Sequence, residues 1–271
     1  MISHVGSRSG TTAIWGKLLG GTIGLAIGGP IGLVLGAVAG HGIDQARRTR
    51  GKTTRDFRSD RSDYSELDIL NASWVVTFFV LAAKLSKIDG HVARDEIATI
   101  KRVLNLPRSA DAMMGAVFRQ AISDTTDYQS YAKQIAEIFR GRKEVLEQLL
   151  GALVLIATCD GHYHPNERMF LAGVAQCFGF STAELHRIEA GFTTSSSAAA
   201  AAEIDPYDVL GVSADASDSE VRAAYRKIIK ESHPDVAIAK GMPEEFIELC
   251  NRKMANANNA YDTIRAKRGM K

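Results

Sequence analysis

Residues 18–40 form a run of 23 positions without a charged side chain. As a helix that run reaches about 34 Å, enough for the roughly 30 Å hydrocarbon core of a bilayer. A backbone inside lipid must satisfy its own N–H and C=O groups, so a lone apolar segment has only the helix open to it. The sequence therefore predicts a transmembrane helix at 18–40 behind a short N-terminal segment, 1–17. Trp15 and Lys17 stand where an interfacial ring and a snorkelling cation belong. Gly20, Gly24, Gly28, Gly32, Gly36 and Gly40 recur at every fourth position. They place small residues along one side of the helix, where two backbones can approach closely, and a homodimer through that stripe is expected. Pro30 is expected to kink the helix.

Ala37, Val38 and Ala39 have the small-x-small form of a signal-peptidase site. The apolar run is longer than a signal core, however, and Arg47, Arg48, Arg50, Lys52, Arg55 and Arg58 follow at once, which suits an anchor that is kept. Those six cations, set against Arg8 and Lys17 before the span, orient the C-terminal body toward the cytoplasm and the short N-terminus outside. Residues 41–66 are polar, charged and without periodicity, and read as a basic tether.

Over the whole chain 33 basic residues face 31 acidic ones, so nothing argues for wholesale nucleic-acid binding. Cys159, Cys177 and Cys250 are odd in number, far apart and set in apolar helical patterns; they read as buried thiols in a reducing compartment. No CxxC pair occurs.

Residues 67–192 carry apolar positions at helical spacing, beginning with Leu67, Leu70, Trp74, Phe78, Leu81 and Leu85. Further helices are expected at about 94–104, 109–122, 128–140, 143–158, 166–178 and 182–192, with Ser181 and Glu184 as a capping box. No strand alternation of useful length appears, so the fold class is all-α. One motif repeats: DGHVARDE at 89–96 and DGHYHPNE at 160–167 imply two related helix-loop-helix units. Gly90 and Gly161 suit helix C-caps, Pro165 opens a helix, and Glu96 and Glu167 suit first turns. Asp89 and Asp160 sit at the wrong end of a helix dipole unless a cation or a donor compensates. Two accounts remain open: each aspartate caps its own turn, or Asp89, Glu96, Asp160 and Glu167 hold a divalent cation through hard oxygen ligands.

A low-complexity linker at 193–203 precedes the last segment, 204–271. Ser217 and Glu220 form a capping box, so a helix starts there and runs to Glu231. Pro234 ends that helix and biases His233 toward extended backbone, so a turn is expected at His233-Pro234-Asp235. Pro243, Glu244 and Glu245 mark the start of a second helix, running to Arg268. Val221, Tyr225 and Ile228 on the first, with Phe246, Cys250, Ala257, Tyr261 and Ile264 on the second, should close as an antiparallel hairpin. On the opposite face Arg222, Arg226 and Lys230 recur at every fourth position beside Lys227. Like charges so spaced cost about 0.2–0.5 kcal/mol per pair, so the face is not there for helix stability; an acidic partner surface accounts for it.

PYDVLGV at 206–212, AYRK at 224–227, HPD at 233–235 and NAYDTI at 259–264 together resemble a J domain. That resemblance implies docking on a DnaK-type chaperone and stimulation of its ATP hydrolysis. His233, Pro234 and Asp235 would be essential, and Arg222, Tyr225, Arg226, Lys227 and Lys230 would form the docking face; Tyr225 reads equally as core. The segment VAIAKGMPEEF at 236–246 departs from the usual short basic loop. Residues 67–192 resemble the TerB-like domain of tellurite resistance. With the glycine-rich span ahead and the J domain behind, the whole arrangement resembles the DjlA family of membrane-anchored DnaJ-like co-chaperones. HPNER at 164–168 and AKGMPEE at 239–245 add to the likeness.

The resemblance implies a bacterial inner-membrane co-chaperone, single-pass, its N-terminus periplasmic, acting in envelope stress or quality control. No phosphate-cradling glycine loop and no nucleophile motif is present, so no enzyme and no obligatory cofactor is expected. The alternative is a metal- or stress-sensing TerB-like membrane protein with an auxiliary J head.

Overall fold

The structure, a computed structural model, describes residues 28–34, 65–88, 127–158, 163–192, 205–243 and 246–270, with helical positions at Gly115, Phe118 and Ala121. Among the described residues the regular elements are helical and no strand occurs. A helical body is formed by α1 (Glu66–Ser86), α2 (Tyr128–Ile138), α3 (Lys143–Ala157), α4 (Pro165–Cys177) and α5 (Thr182–Phe192). A head follows, made of α6 (Pro206–Leu210), α7 (Asp218–Glu231), α8 (Pro234–Ala239) and α9 (Ile247–Arg268).

The body is built around α1. Ser65 opens it: its hydroxyl accepts the Asp68 N–H while Asp68 accepts the Ser65 N–H, satisfying two first-turn donors. Residues 70–86 are all buried. By length and composition alone α1 passes for a membrane span, yet 94% of its most apolar window lies inside the protein, so it is a core helix. Trp74 donates its indole N–H to the Val145 carbonyl of α3 at 3.4 Å, and Ser73 turns its hydroxyl back onto the Ile69 carbonyl at 2.8 Å. Helices α2 and α3 flank α1, α4 lies over both, and α5 packs on α3. Close approach of α5 depends on Gly151, where a Cβ would stand 2.4 Å from a ring carbon of Phe192.

The helices expected at 128–140, 143–158, 166–178 and 182–192 appear within one or two residues of those bounds. The expected helix at 94–104 and most of that at 109–122 lie outside the described residues, as do the tether and the linker apart from Ser65 and Glu66. Residues 29–34 form a helical turn opened by Pro30. Gly28 and Gly29 have φ of 62° and 59°, so the backbone breaks there rather than bending smoothly through a helix kinked at Pro30. Gln134 of α2 donates to the Gly28 carbonyl (2.8 Å) and accepts the Ile31 N–H (2.9 Å). The apolar character that fits this turn for lipid also buries Ile31 and Val34 on protein.

Two helices of the head escape sequence reading. Asp205 caps α6, accepting the Tyr207 N–H at 3.0 Å, and Gly211 at φ 67° ends it after one turn. Helix α8 starts at Pro234, so the turn expected at His233-Pro234-Asp235 opens directly into a short helix that the sequence reading does not predict. A proline blocks a helix that reaches it from the N-terminal side, but its missing N–H costs nothing at the first position of a new one. Helix α9 opens at Ile247 instead of Pro243, whose carbonyl accepts the Phe246 N–H in a turn at 3.0 Å.

The expected hairpin stripe divides. Ala257, Ala260 and Ile264 close on Val221, Ile228, Tyr207 and Leu210 in a core of the head. Phe246 and Cys250, with Leu249, Ala237 and Met242, enter the core of the body instead. Length explains the division: 22 residues give α9 about 33 Å against about 21 Å for the 14 of α7, so one end overhangs.

Candidate functional site

The charged face of α7 is built as its spacing predicts. Ser217 accepts the Glu220 N–H at 3.3 Å, Glu220 accepts the Ser217 N–H at 2.7 Å, and this cap holds the Glu220 carboxyl below its ordinary range. Val221 and Ile228 face the head core, which leaves Arg226, Lys227 and Lys230 exposed and Arg222 half-buried. Lys227 leans toward Glu231 at 4.0 Å. Tyr225 lies on the seam with α9: its ring stacks on Tyr261 at 4.3 Å and its hydroxyl donates to Asn258 at 3.0 Å.

At the end of α7 the chain passes through buried Ser232 into extended backbone at His233, with φ −64° and ψ 131°. That geometry is the one a following proline favours. His233 caps α8, its Nδ1 accepting the Asp235 N–H at 3.3 Å. The His233 side chain is 52% exposed and that of Asp235 is 88% exposed, so both remain open to a partner. The structure thus brings His233, Pro234 and Asp235 to the end of the basic helix, where the sequence placed them.

Arg268, which the sequence reading passed over, locks the far end of the head. Its guanidinium donates to the Tyr207 hydroxyl at 2.8 Å, the Ala214 carbonyl at 2.6 Å and the Ala216 carbonyl at 2.5 Å. Gly269, in the left-handed region at φ 64°, ends α9 beside it; a cation in the last turn ahead of a glycine was the available signal.

The head and body meet through charged and polar groups as well as apolar ones. Glu147 of α3, almost fully buried, pairs with Lys253 of α9 at 2.9 Å and Arg187 of α5 at 3.4 Å. Burial pushes its carboxyl up, but the two cations outweigh that and hold it below its ordinary value. Lys240, just past α8, pairs with Glu144 at 2.9 Å, and Asn256 donates to the Gly191 carbonyl at 2.7 Å.

Three of the four candidate cation ligands, Asp89, Glu96 and Asp160, lie outside the described residues. Glu167 is a helix cap: it accepts the His164 N–H at 2.9 Å in a box with Pro165 at the first position of α4. Among the described residues no three His, Cys, Asp or Glu side chains are grouped to hold a metal. Cys250 is buried and burial raises its thiol to about 11; Cys177 is half-buried and raised for the same reason.

Comparison with known proteins accords with this arrangement. Residues 12–52 match the transmembrane domain of co-chaperone DjlA, residues 75–190 the tellurite resistance protein TerB, and residues 205–267 the DnaJ domain. A co-chaperone protein DjlA of Photobacterium profundum is 33% identical over 280 residues, covering 95% of this chain and 100% of its own. The chain belongs to the DjlA co-chaperone family. Relatives of the same name in Vibrio cholerae and Escherichia coli O157:H7 are 32% and 27% identical, each over 95% of this chain and 99% of their own. No solved structure matches.

As a member of the DjlA family the chain is a membrane-anchored J-domain co-chaperone with a transmembrane helix, a TerB domain and a DnaJ domain. Its all-α fold agrees with these assignments.

Proposed function

We propose that this co-chaperone docks on a DnaK-type chaperone through the α7 basic face and the His233-Pro234-Asp235 edge, and stimulates the partner's ATP hydrolysis. One observation carries this: His233 and Asp235 stand exposed at the start of α8, directly after the exposed cations Arg226, Lys227 and Lys230 of α7. Arg226, Lys227 and Lys230 attract an acidic surface and speed encounter, while the short edge beyond them sets the register. The chain supplies no catalytic group of its own in this reading; hydrolysis belongs to the partner.

The membrane span at 18–40 anchors the head at the bacterial inner membrane, with the body in the cytoplasm where the partner finds ATP; in the bilayer Ile31 and Val34 exchange their contacts with the body for lipid. The charge asymmetry around the span supports that orientation. Gly20, Gly24, Gly28, Gly32, Gly36 and Gly40 support pairing of two copies. Crosslinking in membranes tests the pairing: monomer alone, unchanged by Gly32→Ile, counts against it. Service in envelope stress or protein quality control follows from this location.

The deciding experiment is single-turnover ATP hydrolysis by a bacterial DnaK with the full chain in detergent micelles, wild type beside His233→Gln. Stimulation by the wild type that disappears in the variant is expected. Equal rates with both proteins, at saturating chain, overturn the reading.

A further inference from the structure

We infer that the helical body completes the chaperone-docking head: Lys240, Met242 and Phe246 are positioning residues that hold α8, and with it the His233-Pro234-Asp235 edge, in working geometry. The inference rests on the co-chaperone reading and deepens it, because it makes the TerB domain part of the docking site rather than a spacer.

Helix α8 has six residues. Isolated helices shorter than about 12–15 residues are marginal in water, so α8 needs packing from elsewhere. That packing comes from α7 and α9, which α8 touches directly, and from the body core through Ala237 and the segment that follows. Ala237, the buried residue of α8, belongs to the body core, as do Met242 and Phe246, both with no exposed surface. Phe246 sets its ring against Trp74 and Phe78 of α1 at 4.2 and 5.6 Å between centroids. Gly241, at φ 100°, lets the chain pass so close that a Cβ there would lie 2.8 Å from Leu70 of α1 and 3.2 Å from Phe139. Lys240 fixes the same stretch through Glu144.

The rest of the head does not depend on this contact. Helix α7 closes on α6 and the C-terminal half of α9 in its own core, with Arg268 tying the ends. The two parts of the docking surface therefore draw on different cores. The basic face stands on the head's core, and the His-Pro-Asp edge leans on the body's. Freeing α8 should lower the maximal stimulation while leaving the affinity set by α7 in place.

The test uses the full chain in micelles carrying Phe246→Ala, with Phe246→Leu as the conservative control. Lys240→Glu, alone and with Glu144→Lys, serves as a second pair should Phe246→Ala fail to fold. Two readouts are taken: amide hydrogen exchange, and DnaK single-turnover hydrolysis against chain concentration. The expected result is a loss of about tenfold in protection at residues 236–242 with α7 unchanged, and a plateau stimulation lower by about fivefold at an unchanged half-saturating concentration. Phe246→Leu and the charge-swapped pair should restore both. Unchanged protection at 236–242, or an unchanged plateau, overturns the inference, and so does loss of α7 protection together with α8. If the wild type itself gives no stimulation, the co-chaperone reading fails, and hydrogen exchange alone then decides whether the body holds α8.

Discussion

Phe246 meets Trp74 edge to face, ring centroids 4.2 Å apart and planes at 62°, and this contact joins the segment after His-Pro-Asp to the central helix of the body. Neither ring has exposed surface. Aromatic pairs in this arrangement contribute about 0.5–1.5 kcal/mol beyond the area they bury. Truncation by Phe246→Ala should cost about 3–5 kcal/mol, from lost transfer energy and the cavity left beside Trp74. Scanning calorimetry should show the body's transition lowered in the variant while that of the head, which rests on its own core, stays in place. A loss confined to the head's transition would mean that the ring does not serve the body core.

Glu147 should show the asymmetry expected of a buried charge. Glu147→Gln leaves Lys253, 9% exposed, facing Arg187 without an anion between them, and should cost about 3–5 kcal/mol. Replacing both Glu147 and Lys253 by methionine should cost far less, since two desolvated charges leave together and Arg187, 26% exposed, can turn to water. Urea denaturation of the three proteins checks the order; equal losses in the single and double variants would show that the pairing is not what holds these groups.

Two glycines in helices should respond to alanine in opposite directions. Alanine favours a helix by about 1 kcal/mol over glycine, but at Gly151 the new methyl would stand 2.4 Å from the buried Phe192 ring, and overpacking costs about 1–3 kcal/mol. Gly151→Ala should therefore destabilise. At Gly191 nothing lies within 4 Å of the added Cβ, so Gly191→Ala should raise the melting temperature. Thermal melts decide, and stabilisation by both would show that Phe192 yields without cost.

Acid should loosen the start of α5. A hydrogen bond from Lys143, with the Ser181 backbone N–H, lowers the Glu184 carboxyl from 4.5 to about 2. Because the folded value lies below the unfolded one, its stabilisation is complete above about pH 4.5 and fades as pH falls toward 2. Glu144 and Glu147 are shifted in the same direction, burial being outweighed by their pairing with Lys240, Lys253 and Arg187, so head-to-body packing should weaken as acid protonates them. The melting temperature of the wild type should hold from neutrality to about pH 5 and then fall, less steeply in Glu184→Gln. Parallel slopes would remove Glu184 from the account.

Much of this was legible in the residues. Ser217 with Glu220 and Ser181 with Glu184 announce helix starts because a cap is a local bond between near neighbours, formed whatever lies beyond. The spacing of Val221 and Ile228 on α7, and of the cations opposite, fixes which side is wet. His233-Pro234-Asp235 is a string, and a proline's effect on the residue before it is local too. Helix α8 was missed because the same proline both ends one helix and permits another, and only packing of Ala237 and Met242 tells which follows.

The sequence by itself determined most of the longer helices, the caps at Ser181 and Ser217, the apolar run at 18–40 and the His-Pro-Asp motif, since each depends on groups a few residues apart. Tertiary structure alone decided which neighbour each apolar face takes. Periodicity says that Phe246 and Cys250 are buried, not where, and the answer came from the overhang of α9 past α7 onto α1. The spacing of Leu70, Trp74, Phe78, Leu81 and Leu85 gives α1 as a helix, but apolar on every side it does not say which side meets which neighbour, and Glu147, Lys253 and Arg187 are far apart in the chain. Only when the helices pack do those charges meet, and burial without water then makes their pairing obligatory.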